Sequence, residues 1–109
     1  MVGRDAVEPF SEDAGRYLIY PTFPYEEGRP FEMYTVEMER AAYLSADPHA
    51  PGTQEFITVF EGELTVRVGN EEFTVGTGDS IRFKADRPHA YHNSGPGRTR
   101  YCTVIHYQP

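Results

Sequence analysis

Hydrophobic and polar residues alternate with a period of two along much of this chain. Leu64, Val66 and Val68 alternate with Thr65 and Arg67, and Ile81 and Phe83 alternate with Ser80, Arg82 and Lys84. Such alternation predicts strands with one buried face. Glu55 to Phe60 is rich in aromatic and β-branched residues and predicts a buried strand. Shorter runs over Phe73–Val75, His89–Asn93 and Arg100–Tyr107 predict three more. Phe31 to Asp47, the longest segment without proline or glycine, fits two patterns. Phe31, Tyr34, Met38 and Ala41 suit a helical face, whereas Tyr34, Val36 and Met38 alternate with Thr35, Glu37 and Glu39. The strand reading is taken because everything after it is β, with a second short strand expected from Ala41 to Ser45.

Turn residues separate these runs. Gly69-Asn70 has the form of a two-residue hairpin turn with glycine first. Gly76 to Asp79, Asp86-Arg87-Pro88 and Ser94 to Gly97 mark further turns. Tyr17 to Tyr20 reads as a first edge strand stopped by Pro21 and Pro24, with loop up to Pro30. Residues 1–16 are polar and acidic without periodicity and read as a flexible lead or the end of a linker, leaving residues 17–109 as one domain, closed by Pro109. Many short strands with no convincing helix indicate an all-β sandwich or small barrel. The barrel is preferred because polar candidates converge from two separate hairpins.

Composition narrows the function. The 109 residues carry a net charge of −7, so direct nucleic-acid contact by this chain is not expected. No apolar run approaches the ~20 residues that cross a bilayer. The acidic N-terminus is unlike an export signal, and the single cysteine, Cys102, fits a reducing cytoplasm. Eight tyrosines and seven phenylalanines suit half-buried strands and cavity walls.

The candidate chemistry lies in two stretches. In HAPGTQEFITVFEG, His49 sits in a Pro/Gly loop and Glu55 leads the strand face shared by Ile57 and Val59. A carboxylate among core aliphatics is costly without a partner. In HAYHN, His89, Tyr91 and Asn93 share a face. His49, Glu55 and His89 together make a His/Glu/His set for a divalent metal, or a hydrogen-bonded group with no ion. Tyr91, Ile57, Val59, Tyr34 and His106 are the expected walls of a ligand pocket beside it. Asn93 is expected to brace the loop around His89. Whether the face of the last strand bearing Cys102 and His106 points inward is not readable from the pattern.

These two stretches resemble the paired motifs of the cupins, jelly-roll β-barrels built as a double-stranded β-helix. His49, Glu55 and Gly62 fall on the first motif, and Gly78, His89 and Asn93 on the second. The likeness covers roughly residues 31–107. It also departs in places. Pro51 stands where the second histidine of the first motif would fall, Tyr43 where its opening glycine would, and Lys84 and Asp86 replace a proline and a glycine of the second. The phrases PHAPGTQEFITVFEGELTV and GDSIRFKADRPHAYHN, with the loss at position 51, most resemble the C-terminal sensor domain of bacterial XRE-type helix-turn-helix regulators.

The resemblance implies a cupin-type jelly-roll barrel that senses a small molecule, with DNA bound by a separate helical domain. It implies a metal site of zinc, iron, nickel or manganese, one protein ligand short because of Pro51. It implies an excised domain and a homodimer, for which Phe31 to Met38 is the expected exposed edge. A small metal-dependent isomerase or dioxygenase is the alternative function, and a ligand-free storage or scaffold protein a third.

Overall fold

The computed structural model describes residues 1–108; Pro109, the last residue of the expected domain, lies outside the described residues. The described residues form ten strands and two single-turn 3-10 helices, and no α-helix. The strands are β1 (Phe10–Glu12), β2 (Tyr17–Phe23), β3 (Phe31–Met38), β4 (Tyr43–Ala46), β5 (Gln54–Glu61), β6 (Leu64–Val68), β7 (Glu71–Val75), β8 (Ser80–Lys84), β9 (His89–His92) and β10 (Thr99–His106). They build two antiparallel sheets of six and four strands, ordered β1-β2-β3-β10-β5-β8 and β4-β9-β6-β7. This is the all-β architecture expected from the alternating pattern, in the jelly-roll arrangement that the cupin resemblance implied.

The core lies between the sheets. Val36 and Met38 of β3, Ile57 and Val59 of β5, Leu64 and Val66 of β6, Phe83 of β8 and Tyr101 of β10 are buried there. Each fully buried aliphatic of this kind contributes roughly 1.5–3 kcal/mol. The ambiguous segment resolves as two strands. After β3 the chain turns through Ala41 in the left-handed region (φ 65°) and returns as β4. The Gly69-Asn70 hairpin forms as read, with Gly69 at φ 58°. Gly62 has a steric reason as well as a conformational one. At φ 82°, a Cβ there would come within 2.4 Å of the Arg98 carbonyl oxygen.

Three expectations about edges do not hold. β3 is not an exposed edge, since it pairs with β2 on one side and β10 on the other. Its aromatic residues reflect a position inside the sheet. β2 is flanked by β1 rather than forming the edge itself, and it runs through Pro21 to Phe23. The proline is tolerated because β1 covers only Tyr17 to Ile19 and the β2–β3 register shifts between Pro21 and Phe23. Sheet pairing therefore begins at Phe10, before residue 17. The true edges are protected as edges usually are. β1 is three residues long, β7 begins with Glu71 and Glu72, and β8 carries Arg82 and Lys84.

Candidate functional site

Three elements of the chain meet at one end of the barrel. β5 supplies Glu55 and β9 supplies His89, both from inward-facing positions. His49 comes from the turn before β5. That turn is held in place by its backbone. His49 N donates to the Ala85 carbonyl at 2.9 Å, and Ala85 N donates to the Thr53 carbonyl at 2.9 Å. Asp86, which stands where the motif has glycine, accepts from Gly52 N at 3.0 Å, which holds its carboxyl below the usual range. The substitution thus tightens the same loop. Pro51 is exposed and contributes nothing to the site.

Glu55 is 2% exposed. Its Oε1 accepts hydrogen bonds from the Tyr91 hydroxyl at 2.6 Å and the Thr103 hydroxyl at 3.0 Å. Its Oε2 has no hydrogen-bond partner, nor has His89 Nε2, 3.7 Å away. The other ring nitrogen of His89, Nδ1, lies 2.8 Å from the Arg87 carbonyl oxygen. A carbonyl can only accept, so Nδ1 carries a proton, and in the neutral tautomer this selects Nε2 offers a lone pair. Two buried polar atoms, Glu55 Oε2 and His89 Nε2, thus face each other without a hydrogen bond among the described residues. His49 stacks on His89 with ring centroids 5.6 Å apart, and one ligand atom from each of His49, Glu55 and His89 lies within 4.8 Å of the others.

This arrangement fits a divalent cation. Ligand atoms about 2.1 Å from a tetrahedral ion stand roughly 3.4 Å apart, close to the 3.7 Å between Glu55 Oε2 and His89 Nε2. The imidazole tautomer fixed by a backbone carbonyl is the one a metal-ligating histidine uses. Burial raises the Glu55 carboxyl above its ordinary range, against the opposing pull of the Tyr91 hydrogen bond and the neighbouring histidines. Burial, and then the Glu55 charge, raise the Tyr91 hydroxyl well above its ordinary value, so it stays a donor.

A cavity of about 380 Å³ opens beside the cluster. Its floor is buried: Tyr17, Val36, Glu55, Tyr91, Tyr101 and Thr103. The Tyr17 and Tyr101 hydroxyls are hydrogen-bonded to each other, and the Tyr91 and Tyr101 rings stack at 6.2 Å. Its rim is partly exposed and includes Phe10, Glu32, Tyr34, Ile105 and Tyr107.

Of the expected pocket walls, Tyr91 and Tyr34 line this cavity. Ile57 and Val59 do not; they are 1% and 0% exposed and belong to the core, because the inner face of β5 is covered beyond Glu55. His106 does not line it either. Tyr101, Thr103 and Ile105 take the inward positions of β10, so Cys102 and His106 face outward. Asn93 braces a different place from the one expected. Its amide donates to the carbonyls of Met38, Glu39 and Gly97, closing the turn after β3 and the loop after β9. Thr103, Glu32 and Ile105 were missed, although alternation from a known inward residue of β10 finds Thr103 and Ile105.

Known proteins place this geometry in context. The model of a family described as the cupin domain matches residues 34–105. The HTH-type transcriptional regulator SutR of Escherichia coli (strain K12) is 33% identical over 90 residues, covering 83% of this chain and 51% of the regulator. The chain thus spans about half the length of that curated relative. The Cupin_2 domain of an XRE family transcriptional regulator from Enterobacter cloacae superposes with a TM-score of 0.81 at 30% identity, over 86% of this chain and 99% of that one. An HTH_3 family transcriptional regulator from Vibrio cholerae gives 0.82 at 26% identity, over 89% of this chain and 54% of that one. A predicted oxalate decarboxylase from Thermotoga maritima gives 0.82 at 13% identity, over 99% of each chain, a likeness of fold alone.

Proposed function

The chain belongs to the cupin family, and from that premise we propose that it is a small-molecule-sensing domain of a bacterial transcriptional regulator. In this reading the barrel cavity takes the ligand beside a divalent metal held by His49, Glu55 and His89. One observation carries it: a largely apolar cavity of about 380 Å³ is lined by Glu55, whose buried Oε2 faces His89 Nε2 with neither atom hydrogen-bonded among the described residues. Ligand sites are commonly cavities of this size, apolar with a few convergent polar groups. Similarity to regulator-linked cupin domains supports the regulatory half of the reading. DNA contact is assigned to a separate domain, consistent with the net charge of −7.

The chain's own residues prepare the site. The Arg87 carbonyl sets the His89 tautomer, and Tyr91 and Thr103 occupy Glu55 Oε1 so that Oε2 is left to bind. When bound, a divalent ion would supply a Lewis acid for a ligand oxygen or nitrogen. The same three-ligand set favours a second reading, a small metal-dependent enzyme. Among the described residues no helix is long and apolar enough to cross a membrane. A homodimer remains part of the proposal, through a surface other than the β3 edge, and sedimentation tests it.

Elemental analysis of protein purified without chelator, together with a thermal-shift screen, tests the main reading. Wild type should carry metal that His89→Ala loses, and some small molecule should raise the melting temperature saturably and be recovered unchanged. A ligand that is consumed would move the assignment to the enzyme. A screen without saturable shifts would remove the sensing role.

A further inference from the structure

The cavity wall is acidic, and its second carboxylate has no role in the metal set. Glu32, Ile105 and Glu55 are consecutive cross-strand partners on β3, β10 and β5. They form one row across the inner face of the six-stranded sheet. At about 4.8 Å per strand, the two glutamates are roughly 10 Å apart at the backbone. Glu55 lies at the buried end and Glu32 at the partly exposed rim. The Tyr34 hydroxyl donates to Glu32 Oε1, and no cationic partner of Glu32 is found among the described residues. Arg29, three residues earlier, is turned to Glu26 and to the Phe31 carbonyl.

No arginine or lysine lines the cavity, and its one nitrogen base, His49, belongs to the metal cluster. A ligand anion would meet a carboxylate at the rim and find no fixed cation on the wall. Between the two carboxylates stands Ile105, and Ile19, Val36 and Leu44 add apolar wall elsewhere in the cavity. Phe10 and Tyr107 also line the cavity and are not buried, and an aromatic ring favours a cation over its face. Glu55 lines the buried part of the same cavity, so a carboxyl group stands at each end of the row with no cation between them.

Resting on the sensing reading, we infer that the ligand is a small apolar molecule bearing a protonated amine, with the ammonium received by Glu32 and the apolar body laid along Ile105 toward the floor. Glu32 is then the residue that determines specificity by charge, separately from the metal ligands.

Calorimetry with three probes of equal length, hexylamine, hexanol and hexanoate, tests this on metal-free and on zinc-loaded protein. Hexylamine, protonated at neutral pH, should bind saturably to both forms, and hexanoate should not bind the metal-free form. Glu32→Gln should weaken hexylamine at least about tenfold, as loss of a partly buried charge partner does, while leaving hexanol unchanged. Glu32→Lys should reverse the preference toward hexanoate. Because Glu32 is at the rim, both variants should melt near wild type. Failure of hexylamine to bind, equal binding of hexanoate to metal-free protein, or indifference to both Glu32 variants overturns the inference. Saturable binding of hexanoate without hexylamine would overturn it while leaving the sensing reading intact.

Discussion

Two glutamates on opposite faces of the six-stranded sheet show how differently this protein treats a buried charge. Glu37 is 9% exposed on the outer face and is surrounded by donors. Arg4 Nη2 lies 2.9 Å from it, Arg100 Nε 3.4 Å, and the Tyr20 hydroxyl 3.4 Å. Glu55 is 2% exposed on the inner face and has no arginine or lysine partner among the described residues. Its one satisfied oxygen takes two neutral hydroxyls, and its other oxygen faces His89 Nε2 without a hydrogen bond. Burying an unneutralised carboxylate is expensive. The outer glutamate is compensated by the fold itself. The inner one is left for a cation from outside, and this contrast supports a binding role rather than a structural one.

The largest effect that sharpens the contrast is on metal affinity. His89→Ala removes one of the three proposed metal ligands, so zinc affinity should fall by about a hundredfold or more. Glu37→Gln should leave it unchanged. Competition with a chromophoric chelator reads both, and an equal loss in the two variants would erase the distinction between the glutamates. Tyr91→Phe should act next most strongly. It keeps the ring and leaves Glu55 Oε1 with the Thr103 hydroxyl alone, so the carboxylate loses the shorter of the two hydrogen bonds that orient it. Outer-shell changes of this kind cost about 10- to 100-fold in affinity, and the same chelator competition measures it.

The contrast also predicts an unusual pH dependence in the metal-free protein. Burial raises the folded carboxyl of Glu55 above its unfolded value. The folded state therefore binds the proton more tightly than the unfolded state does. The associated stability is fully present below the ordinary glutamate value of about 4.3 and is lost as pH rises through the raised folded value. Melting curves of chelated protein should thus show a component that declines with rising pH, and Glu55→Gln should flatten it and raise the melting temperature at neutral pH. Unchanged pH dependence in Glu55→Gln would show that the buried carboxylate is already compensated.

Much of this was legible before the structure, for physical reasons that differ by residue. Period-two alternation fixed the strands from β5 onward, where each has one buried face. The turn glycines marked their ends, with Gly69 and Gly62 in the left-handed region as such turns require. His49, Glu55 and His89 were found together because their spacing is local to two hairpins. The sheet partners were not legible, because β3 pairs with β10 more than sixty residues away and no local signal reports that. That is why β3 was read as an edge. The phase of β10 was equally hidden, since Cys102, Val104 and His106 alternate as regularly as Tyr101, Thr103 and Ile105. Only the sheet-to-sheet packing decides which set faces the cavity, and so His106 was placed on the wrong side. Ile57 and Val59 share the face of Glu55 as read, but whether that face meets a cavity or packed core depends on the facing sheet.

The smallest expected effect concerns the N-terminal segment. Arg4 reaches from residues before β1 to the Glu37 carboxylate and also lies over the Tyr20 ring, 5.4 Å from its centroid. The Arg4 side chain is 61% exposed, so solvent screens the pair even though Glu37 is nearly buried. Arg100 remains beside Glu37 in its absence, so removing Arg4 does not strand the carboxylate. Arg4→Ala should therefore lower the denaturant midpoint only slightly, and the loss should shrink in high salt. Arg100→Ala should cost more, because that guanidinium is the less exposed partner at 30% and also stands over the Phe60 ring. If Arg4→Ala proved as damaging as Arg100→Ala, the segment before β1 would be an integral part of the barrel. If both were silent, Glu37 would need no compensation, and the argument that Glu55 stands apart from it would lose its reference.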